Sequence, residues 1–326
     1  MTAQSSATEQ RSVTAGLALG ALGVLAFSMS LPATRVAVRE IDPWFVAFGR
    51  AVGAALLACA YLRLTRAPRP TRDQWRRLTI VALGVVVGFP LFTSLALTTQ
   101  TAAHGAVVVT VLPAMTAVFA VLRAGERPPP VFWLACGAGV VAVLTFLVTT
   151  GTVRGALTAA DLFLLAAVTL CGLGYAEGGA LARELGGART ICWSLVVALP
   201  ATLPVALTAV LAHPPRAGAA AAGAAAAAGM ATAAAGTAAA TAGAAWAEAW
   251  AAFGYLTVIS MFLGFFAWYA GLARGGIAQV GQIQLAQPLI TLIWSALLLG
   301  EQVTPAAIGA ALVVLACVAL LQRTRR

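Results

Sequence analysis

Long runs of apolar residues, separated by short polar stretches, follow one another along almost the whole chain. A transmembrane helix needs about 20 predominantly apolar residues, and ten runs of suitable length can be distinguished. They cover residues 13–34, 43–62, 77–99, 102–122, 131–150, 159–181, 189–211, 247–271, 277–299 and 304–321. Most connections are short, so consecutive helices should pack as antiparallel neighbours. The pattern predicts an all-α integral membrane protein with ten transmembrane helices.

The composition supports a lipid environment. The chain has 326 residues, of which 61% are hydrophobic and only 9% are charged. A soluble protein carries about 25% charged residues, which excludes an ordinary soluble enzyme, a disulfide scaffold and a disordered chain. The five cysteines lie inside apolar runs, and neither they nor the two distant histidines have metal-ligand spacing. No phosphate-binding loop occurs, so ATP-driven transport would need another protein. We expect no enzyme activity, no cofactor and no metal site.

The basic residues are 20 arginines, and their distribution predicts an orientation. With the N-terminus in the cytoplasm, 15 arginines fall in cytoplasmic segments, four fall outside and Arg50 lies within a span. This asymmetry is typical of loops that face the cytoplasm, whereas nucleic-acid-binding proteins carry basic stripes on a polar surface. We expect a multi-pass protein of the cell (inner or plasma) membrane, surrounded by lipid, with both termini cytoplasmic and no nucleic-acid partner. The oligomeric state is left open, a monomer being plausible.

An alanine-rich segment interrupts the second half of the pattern. Residues 217–245 contain 20 Ala and 5 Gly and have no Leu, Ile, Val or aromatic residue that would favour lipid. An additional crossing here would also move the arginine-rich C-terminus to the outside. The segment is therefore interpreted as a low-complexity external loop within 212–246, with partial helix formation left open.

The fourth and ninth spans resemble each other when the chain is shifted by 175 residues. The identical pairs are Pro113 and Pro288, Thr116 and Thr291, Leu122 and Leu297, Gly125 and Gly300, Glu126 and Glu301, and Pro130 and Pro305. Because each half then has an odd number of helices, the second half is inverted relative to the first. Inverted repeats are typical of transporters that hold substrate near the midplane, between the halves. The predicted parts are a tail 1–12, a half 13–150, a linker 151–158, a half 159–321 and a tail 322–326.

The paired prolines lie about eleven residues into their helices, close to the middle of the bilayer. A proline removes one backbone hydrogen bond of a helix and favours a bend. Pro113 and Pro288 are consistent with packing kinks or with a pair of hinges, and their matched placement in opposed halves modestly favours hinges.

These features resemble the EamA-like branch of the drug/metabolite transporter superfamily. The resemblance depends on Pro113 followed by Glu126, on Pro288 followed by Glu301, on Arg50 in the second span, and on the run 308–312. It implies a ten-helix fold and export of small metabolites, including amino acids. It is specific for the fold and the transporter class but not for the substrate.

Charged residues inside spans are candidates for function. Arg50 could anchor a substrate carboxylate or pair with an acid to lock its helix, and the presence of this arginine in relatives with varied substrates favours the structural role. Glu177 could bind a substrate amine or exchange protons, or it could pair with Arg183 or Arg189 at the helix end. Glu126 and Glu301 follow their spans, and each is expected to serve the N-terminus of the next helix.

Polar and aromatic side chains of other spans are candidates for the substrate pathway. Three glutamines of the ninth span fall within an arc of about 140° and should face protein or a water-filled path: Gln279, Gln284 and Gln287. Interhelical hydrogen bonding is the alternative. His104 could titrate but has no evident partner, and Asp161 is interpreted as a solvated boundary charge. An aromatic cavity could be lined by Tyr175, Trp268 and Tyr269.

The sequence and the resemblance together predict a secondary transporter that moves a small polar metabolite, an amino acid or derivative, by alternating access. Export is the direction that the resemblance implies. The alternatives are a multidrug exporter or a metabolite importer of the same fold, and a membrane scaffold that transports nothing. Coupling to protons and facilitated diffusion are both compatible with so few acids in the membrane.

Overall fold

The computed structural model describes residues 3–124, 158–212, 232–275 and 280–309, with scattered positions in 134–145 and 311–316. These residues are overwhelmingly helical and contain no strand. The first half comprises α1 (Ala3–Ser28), α2 (Ser30–Glu40), α3 (Pro43–Leu64), α4 (Arg72–Val81), a π-helical segment (Ala82–Gly88), α5 (Phe89–Ala96), α6 (Ala102–Val109) and α7 (Leu112–Ala124). The second half comprises α8 (Ala159–Leu185), α9 (Gly187–Ala212), α10 (Thr232–Tyr255), a second π-helical segment (Leu256–Leu263), α11 (Gly264–Gly275), a 3₁₀ turn (Gln282–Leu285) and α12 (Ala286–Leu299).

Seven continuous helical stretches of the described residues are long and apolar enough to cross a membrane. They are Thr14–Glu40, Pro43–Leu64, Arg72–Ala96, Ala102–Arg123, Ala159–Leu185, Gly187–Ala212 and Gly243–Gly275. They correspond to the predicted spans one to four and six to eight, and the shorter Ala286–Leu299 lies in the predicted ninth. The predicted fifth span lies largely outside the described residues, and the predicted tenth lies only partly within them. The described residues thus form an all-helical structure with seven candidate membrane spans.

The alanine-rich segment differs from the loop that was predicted for 212–246. Helix α10 begins at Thr232, so residues 232–246 are helical and the helix leading into the eighth span starts well before residue 247. Alanine has the highest helix propensity of all residues, and this explains why residues 232–245 are helical although they include no Leu, Ile, Val or aromatic residue. Residues 213–231 lie outside the described part of the chain.

Prolines divide several spans into two helices. Pro32 cannot donate to the carbonyl of Ser28, and the first span is broken into α1 and α2 at Met29. The freed carbonyl is satisfied from another span, because the Thr291 hydroxyl donates to Ser28 O over 2.7 Å. The fourth and ninth spans are also divided near their prolines. Pro113 is the second residue of α7 and Pro288 the third of α12.

Two glycine pairs bring the first and eighth spans together. Gly16 and Gly20 lie four residues apart on α1, and Gly271 and Gly275 repeat that spacing on α11. A Cβ at Gly271 would lie 2.8 Å from Gly20 N, and one at Gly16 would lie 2.5 Å from Gly275 N. Small residues at this spacing let transmembrane backbones approach closely. The N-terminal and C-terminal halves are therefore packed against each other directly.

Candidate functional site

A small cavity lies at the centre of the described helices, between the two halves. Its volume is about 30 Å³, which is room for about two water molecules. Its apolar wall includes Phe27, Leu31, Val85, Phe89, Pro90, Leu112, Met261 and Phe265. Its polar and thiol-bearing lining residues are Ser30, Arg50, Cys171, Tyr175, Ser260 and Gln287. Arg50 is the one charged residue among the described lining residues.

Helix α3 carries Arg50 into this cavity. The helix starts at Pro43 and is capped by the Asp42 side chain, which accepts from the backbone N–H groups of Trp44 and Phe45 at 2.9 and 3.1 Å. Arg50 follows two turns later and is only 2% exposed. Its Nε is completely buried without a hydrogen-bond partner, and within the described residues its guanidinium makes no ion pair or hydrogen bond.

Hydroxyl and amide groups complete the polar part of the cavity. The Ser30 and Ser260 hydroxyls are hydrogen-bonded at 2.7 Å and join the first half to the second. Gln284 and Gln287 are both buried, and Gln284 Nε2 lies 3.5 Å from Gln287 Oε1. Gln287 lines the cavity, so part of the predicted glutamine face points inward. Gln279 lies outside the described residues.

Residues of the two halves line the cavity at equivalent positions. The 175-residue shift superimposes Val85 on Ser260, Pro90 on Phe265, and Leu112 on Gln287; all six residues line the cavity. The same shift brings the two π-helical segments, Ala82–Gly88 and Leu256–Leu263, into register. Short π-helical segments occur frequently at functional sites.

A cluster of charged residues closes one end of the helices. Glu177 on α8 accepts from Nε of Arg77 on α4, and from Nε of Arg123 on α7 at 2.9 Å. Arg77 Nη1 also donates to Glu184 Oε1 over 2.6 Å, and Gln74 Nε2 donates to Glu184 Oε2 over 3.0 Å. We call these five residues the arginine–glutamate cluster. The predicted partners of Glu177 were wrong, because Arg77 and Arg123 approach from other spans.

A second polar cluster lies at the opposite end of α8. Asp161 Oδ1 is 2.7 Å from His104 Nε2, while Asp161 Oδ2 accepts from the backbone N–H of Thr158 at 2.9 Å and from its hydroxyl at 2.7 Å. Asp161 is fully buried. We call these three residues the histidine–aspartate cluster. Its geometry corrects the interpretation of Asp161 as a solvated charge and gives His104 the partner that the sequence did not reveal.

Glu301 acts at the same end as the histidine–aspartate cluster. Its two carboxylate oxygens accept from the backbone N–H groups of Ala102 and Ala103, at 3.0 and 2.9 Å. Glu301 therefore caps a helix N-terminus as expected, but that helix is α6 of the first half. The next helix along the chain is capped by Thr304, whose hydroxyl accepts from the backbone N–H of Ala307 at 3.2 Å. Glu126 lies outside the described residues.

The predicted aromatic residues occupy different positions. Tyr175 lines the cavity. Trp268 is fully buried behind it, with ring centroids 5.5 Å apart. Tyr269 is also fully buried, and its hydroxyl lies 3.4 Å from Gly174 O. Trp268 and Tyr269 do not belong to the lining of the cavity.

Several lining residues were not singled out from the sequence. Phe27, Phe265 and Ser260 lie in apolar runs where nothing distinguishes them from core residues. The one available signal is the hydroxyl of Ser260 inside an apolar run, because a polar group in a membrane span needs a hydrogen-bond partner within the protein.

Comparisons with known proteins agree with this architecture. A model of the EamA-like transporter family matches residues 14–148 and again residues 158–322. The uncharacterized transporter YdeK of Bacillus subtilis (strain 168) is 41% identical over 304 residues, which cover 93% of this chain and 96% of YdeK. A protein of known crystal structure, 16% identical, has the same fold with a TM-score of 0.60, over 96% of this chain and 99% of its own. The chain belongs to the EamA-like transporter family, and it is a membrane transporter rather than an enzyme.

Proposed function

We propose that this protein is a secondary transporter that moves small polar metabolites, amino acids or their derivatives, across the cell membrane by alternating access, with export favoured. The observation that carries the proposal is the central cavity, which is lined at equivalent positions by both halves and lies between two polar clusters. A substrate held there would be reached from one side of the membrane or the other, depending on which cluster opens.

The two clusters are suited to act as gates because they lie at opposite ends of α8. Asp161 and Glu177 are separated by 16 residues, or about 24 Å along a helix. The fourth span approaches α8 at both places, with His104 at one end and Arg123 at the other. In alternating access, separation of the fourth and sixth spans at one end is accompanied by their contact at the other.

The breaks within the helices provide a means of movement. An inverted pair of five-helix halves would supply two related hinges, and Pro113 and Pro288 lie at breaks in the fourth and ninth spans. A cavity of about 30 Å³ is far below the size of about 300 Å³ or more that ligand pockets usually have. Substrate entry therefore requires the halves to separate around the cavity.

The lining argues against a cationic drug as the substrate. An aromatic wall of Phe27, Tyr175 and Phe265 could attract a cation. However, the charge that the described lining presents is the guanidinium of Arg50, which repels a cation in a medium of low dielectric constant. A zwitterionic or anionic metabolite fits this lining better.

The test is transport by purified protein in proteoliposomes. Liposomes are loaded with a panel of labelled amino acids and derivatives, and efflux is measured with and without a pH gradient, against protein-free liposomes. We expect efflux of a subset of the panel that depends on protein. If no member of the panel moves, the substrate class is wrong; equal rates with and without the gradient would indicate facilitated diffusion rather than proton coupling. Accumulation of the same solutes outside intact cells that express the protein tests the export direction.

A further inference from the structure

We infer that Arg50 forms a carboxylate-binding subsite in the central cavity, and that the substrate is a small monocarboxylate with an apolar body that is selected through its carboxylate group. This inference rests on the proposed transport function but concerns the ligand chemistry of the cavity. The observation behind it is that the buried guanidinium of Arg50, which has no partner among the described residues, lines the cavity.

An unpaired charge at this depth is costly. Arg50 lies in the second span, is 2% exposed and has a completely buried Nε without a hydrogen-bond partner. Buried ionised groups in proteins are paired or hydrogen-bonded, because desolvation of an isolated charge is strongly unfavourable. Within membrane spans such residues mark substrate and ion pathways. A carboxylate bound in the cavity would supply the missing counter-charge.

Other arginines of the same molecule show what a structural arginine does. Arg35 donates to the backbone carbonyls of Leu97 and Thr98 at 2.6 and 3.0 Å. These hydrogen bonds connect the first span to the end of the third. Arg77 and Arg123 are bound to Glu177. Arg50 makes no comparable contact with the described residues, although it is more deeply buried than any of these three. If Arg50 served only to hold its helix against its neighbours, it would need contacts of this kind.

The remaining lining explains why the carboxylate, rather than an ammonium group, is selected. The described lining has no acidic side chain, so an ammonium group would find only neutral acceptors, such as the Ser30 and Ser260 hydroxyls and the Gln287 amide oxygen. A guanidinium presents a rigid fork that matches a carboxylate with two parallel hydrogen bonds. Phe27 and Phe265 offer an apolar surface for the rest of the substrate.

The first experiment needs no variant. Wild-type protein in detergent is titrated with L-leucine, N-acetyl-L-leucine and L-leucinamide, and ligand binding is followed by thermal stabilisation. The two carboxylates should stabilise the protein, and the amide, which lacks the carboxylate, should bind about a hundredfold more weakly. Equal stabilisation by the amide and the acids would overturn the inference.

The second experiment compares Arg50→Gln and Arg50→Lys with Arg63→Gln, which removes the same charge at an exposed position of the same helix. Arg50→Gln should weaken N-acetyl-L-leucine binding about a hundredfold, Arg50→Lys should be intermediate because a point charge replaces the fork, and Arg63→Gln should match wild type. Without ligand, Arg50→Gln should be at least as heat-stable as wild type, because an unpaired buried charge is removed. A structural arginine would give the opposite result, a large loss of stability with carboxylate binding retained in Arg50→Lys.

These experiments distinguish a failure of the carboxylate subsite from a failure of the proposed transport function. If wild type transports no amino acid or derivative but binds carboxylates in an Arg50-dependent way, the subsite is correct and the transport proposal is wrong. If amino acids are transported equally well by Arg50→Gln, transport is correct and the subsite is wrong.

Discussion

Two glutamates on one helix of this protein bind arginine at different depths of burial. Glu177 is almost completely buried and binds two arginines from two other spans. Glu184, about two turns further along the same helix α8, is 45% exposed and binds Arg77 and Gln74. Exposed ion pairs stabilise proteins by about 0–1 kcal/mol because water and salt screen them. Loss of one partner of a buried pair leaves an uncompensated charge and costs more. The two glutamates therefore form a matched comparison.

We expect Glu177→Gln to lower the free energy of unfolding by about 2 kcal/mol, and Glu184→Gln by less than about 0.5 kcal/mol. The value for Glu177 is kept below that of a fully buried pair because Arg77 and Arg123 are partly exposed. Thermal unfolding of the two purified variants in the same detergent measures the difference. Equal destabilisation by the two substitutions would mean that burial of Glu177 has no energetic consequence.

The candidate residues could be identified from the sequence more readily than their partners. A charge inside an apolar run is visible in the sequence, and this led to Arg50 and Glu177. The partner of Glu177 was sought among near neighbours in the chain, but Arg77 lies 100 residues away. Pairings of this kind depend on how the spans pack, and hydropathy does not determine packing.

Helical elements were predicted well where the apolar pattern was long and continuous. Seven of the predicted spans have counterparts of suitable length. The apolar pattern could not reveal the π-helical segments, because they depend on which backbone groups are hydrogen-bonded. It also could not reveal the helix within the alanine-rich region, because that helix depends on the helix propensity of alanine rather than on hydrophobicity. The glycine pairs of α1 and α11 were present in the sequence, but which spans they join depends on three-dimensional packing.

Packing between the first and eighth spans should be sensitive to a single methyl group. Gly271→Ala places a Cβ 2.8 Å from Gly20 N and 2.9 Å from Gly16 O, and backbone atoms cannot yield as a flexible side chain does. We expect a loss of stability of about 1–3 kcal/mol.

In the control Gly254→Ala, within the same span, the new Cβ meets nothing within 4 Å. This variant should be neutral or more stable, because alanine favours helix over glycine. Thermal unfolding in detergent should separate the two, and similar stability would show that the close approach can relax.

The paired prolines should influence the rate of the transport cycle rather than folding. Pro113→Ala and Pro288→Ala each restore a backbone N–H that can bond within the helix, which favours a straight helix by about 1 kcal/mol. If the breaks are hinges, transport should slow about fivefold in each variant, while thermal stability is kept or increased.

The control for this prediction is Pro204→Ala. Pro204 is exposed and lies inside the continuous helix α9, so its replacement should leave transport unchanged. Initial rates of efflux from proteoliposomes, normalised to reconstituted protein, provide the measurement. Unchanged rates in both hinge variants would assign the prolines to packing.

At the scale of the whole molecule, charged residues of the second half bind both ends of the fourth span. Its beginning is bound by Glu301 from the second half and by Asp161 through His104. Its end is bound by Glu177 through Arg123. In the proposed transport cycle, the contacts at one end would have to be released before the cavity could open on that side. The fourth span, which takes part in both clusters, would then connect the two proposed gates.

The orientation predicted from the arginines can be tested with two engineered cysteines. Glu40 ends α2 and Thr65 follows α3, and both are exposed; the 22 residues of α3 span about 33 Å between them. Neither substitution alters the number of arginines. In intact cells, a membrane-impermeant maleimide should label Glu40→Cys, whereas Thr65→Cys should be labelled only after permeabilisation.

Wild-type protein gives the background from the native cysteines. The reverse pattern would invert the topology, and with it the side on which the arginine–glutamate cluster gates the cavity. Labelling of both positions from outside would show that α3 does not cross the membrane.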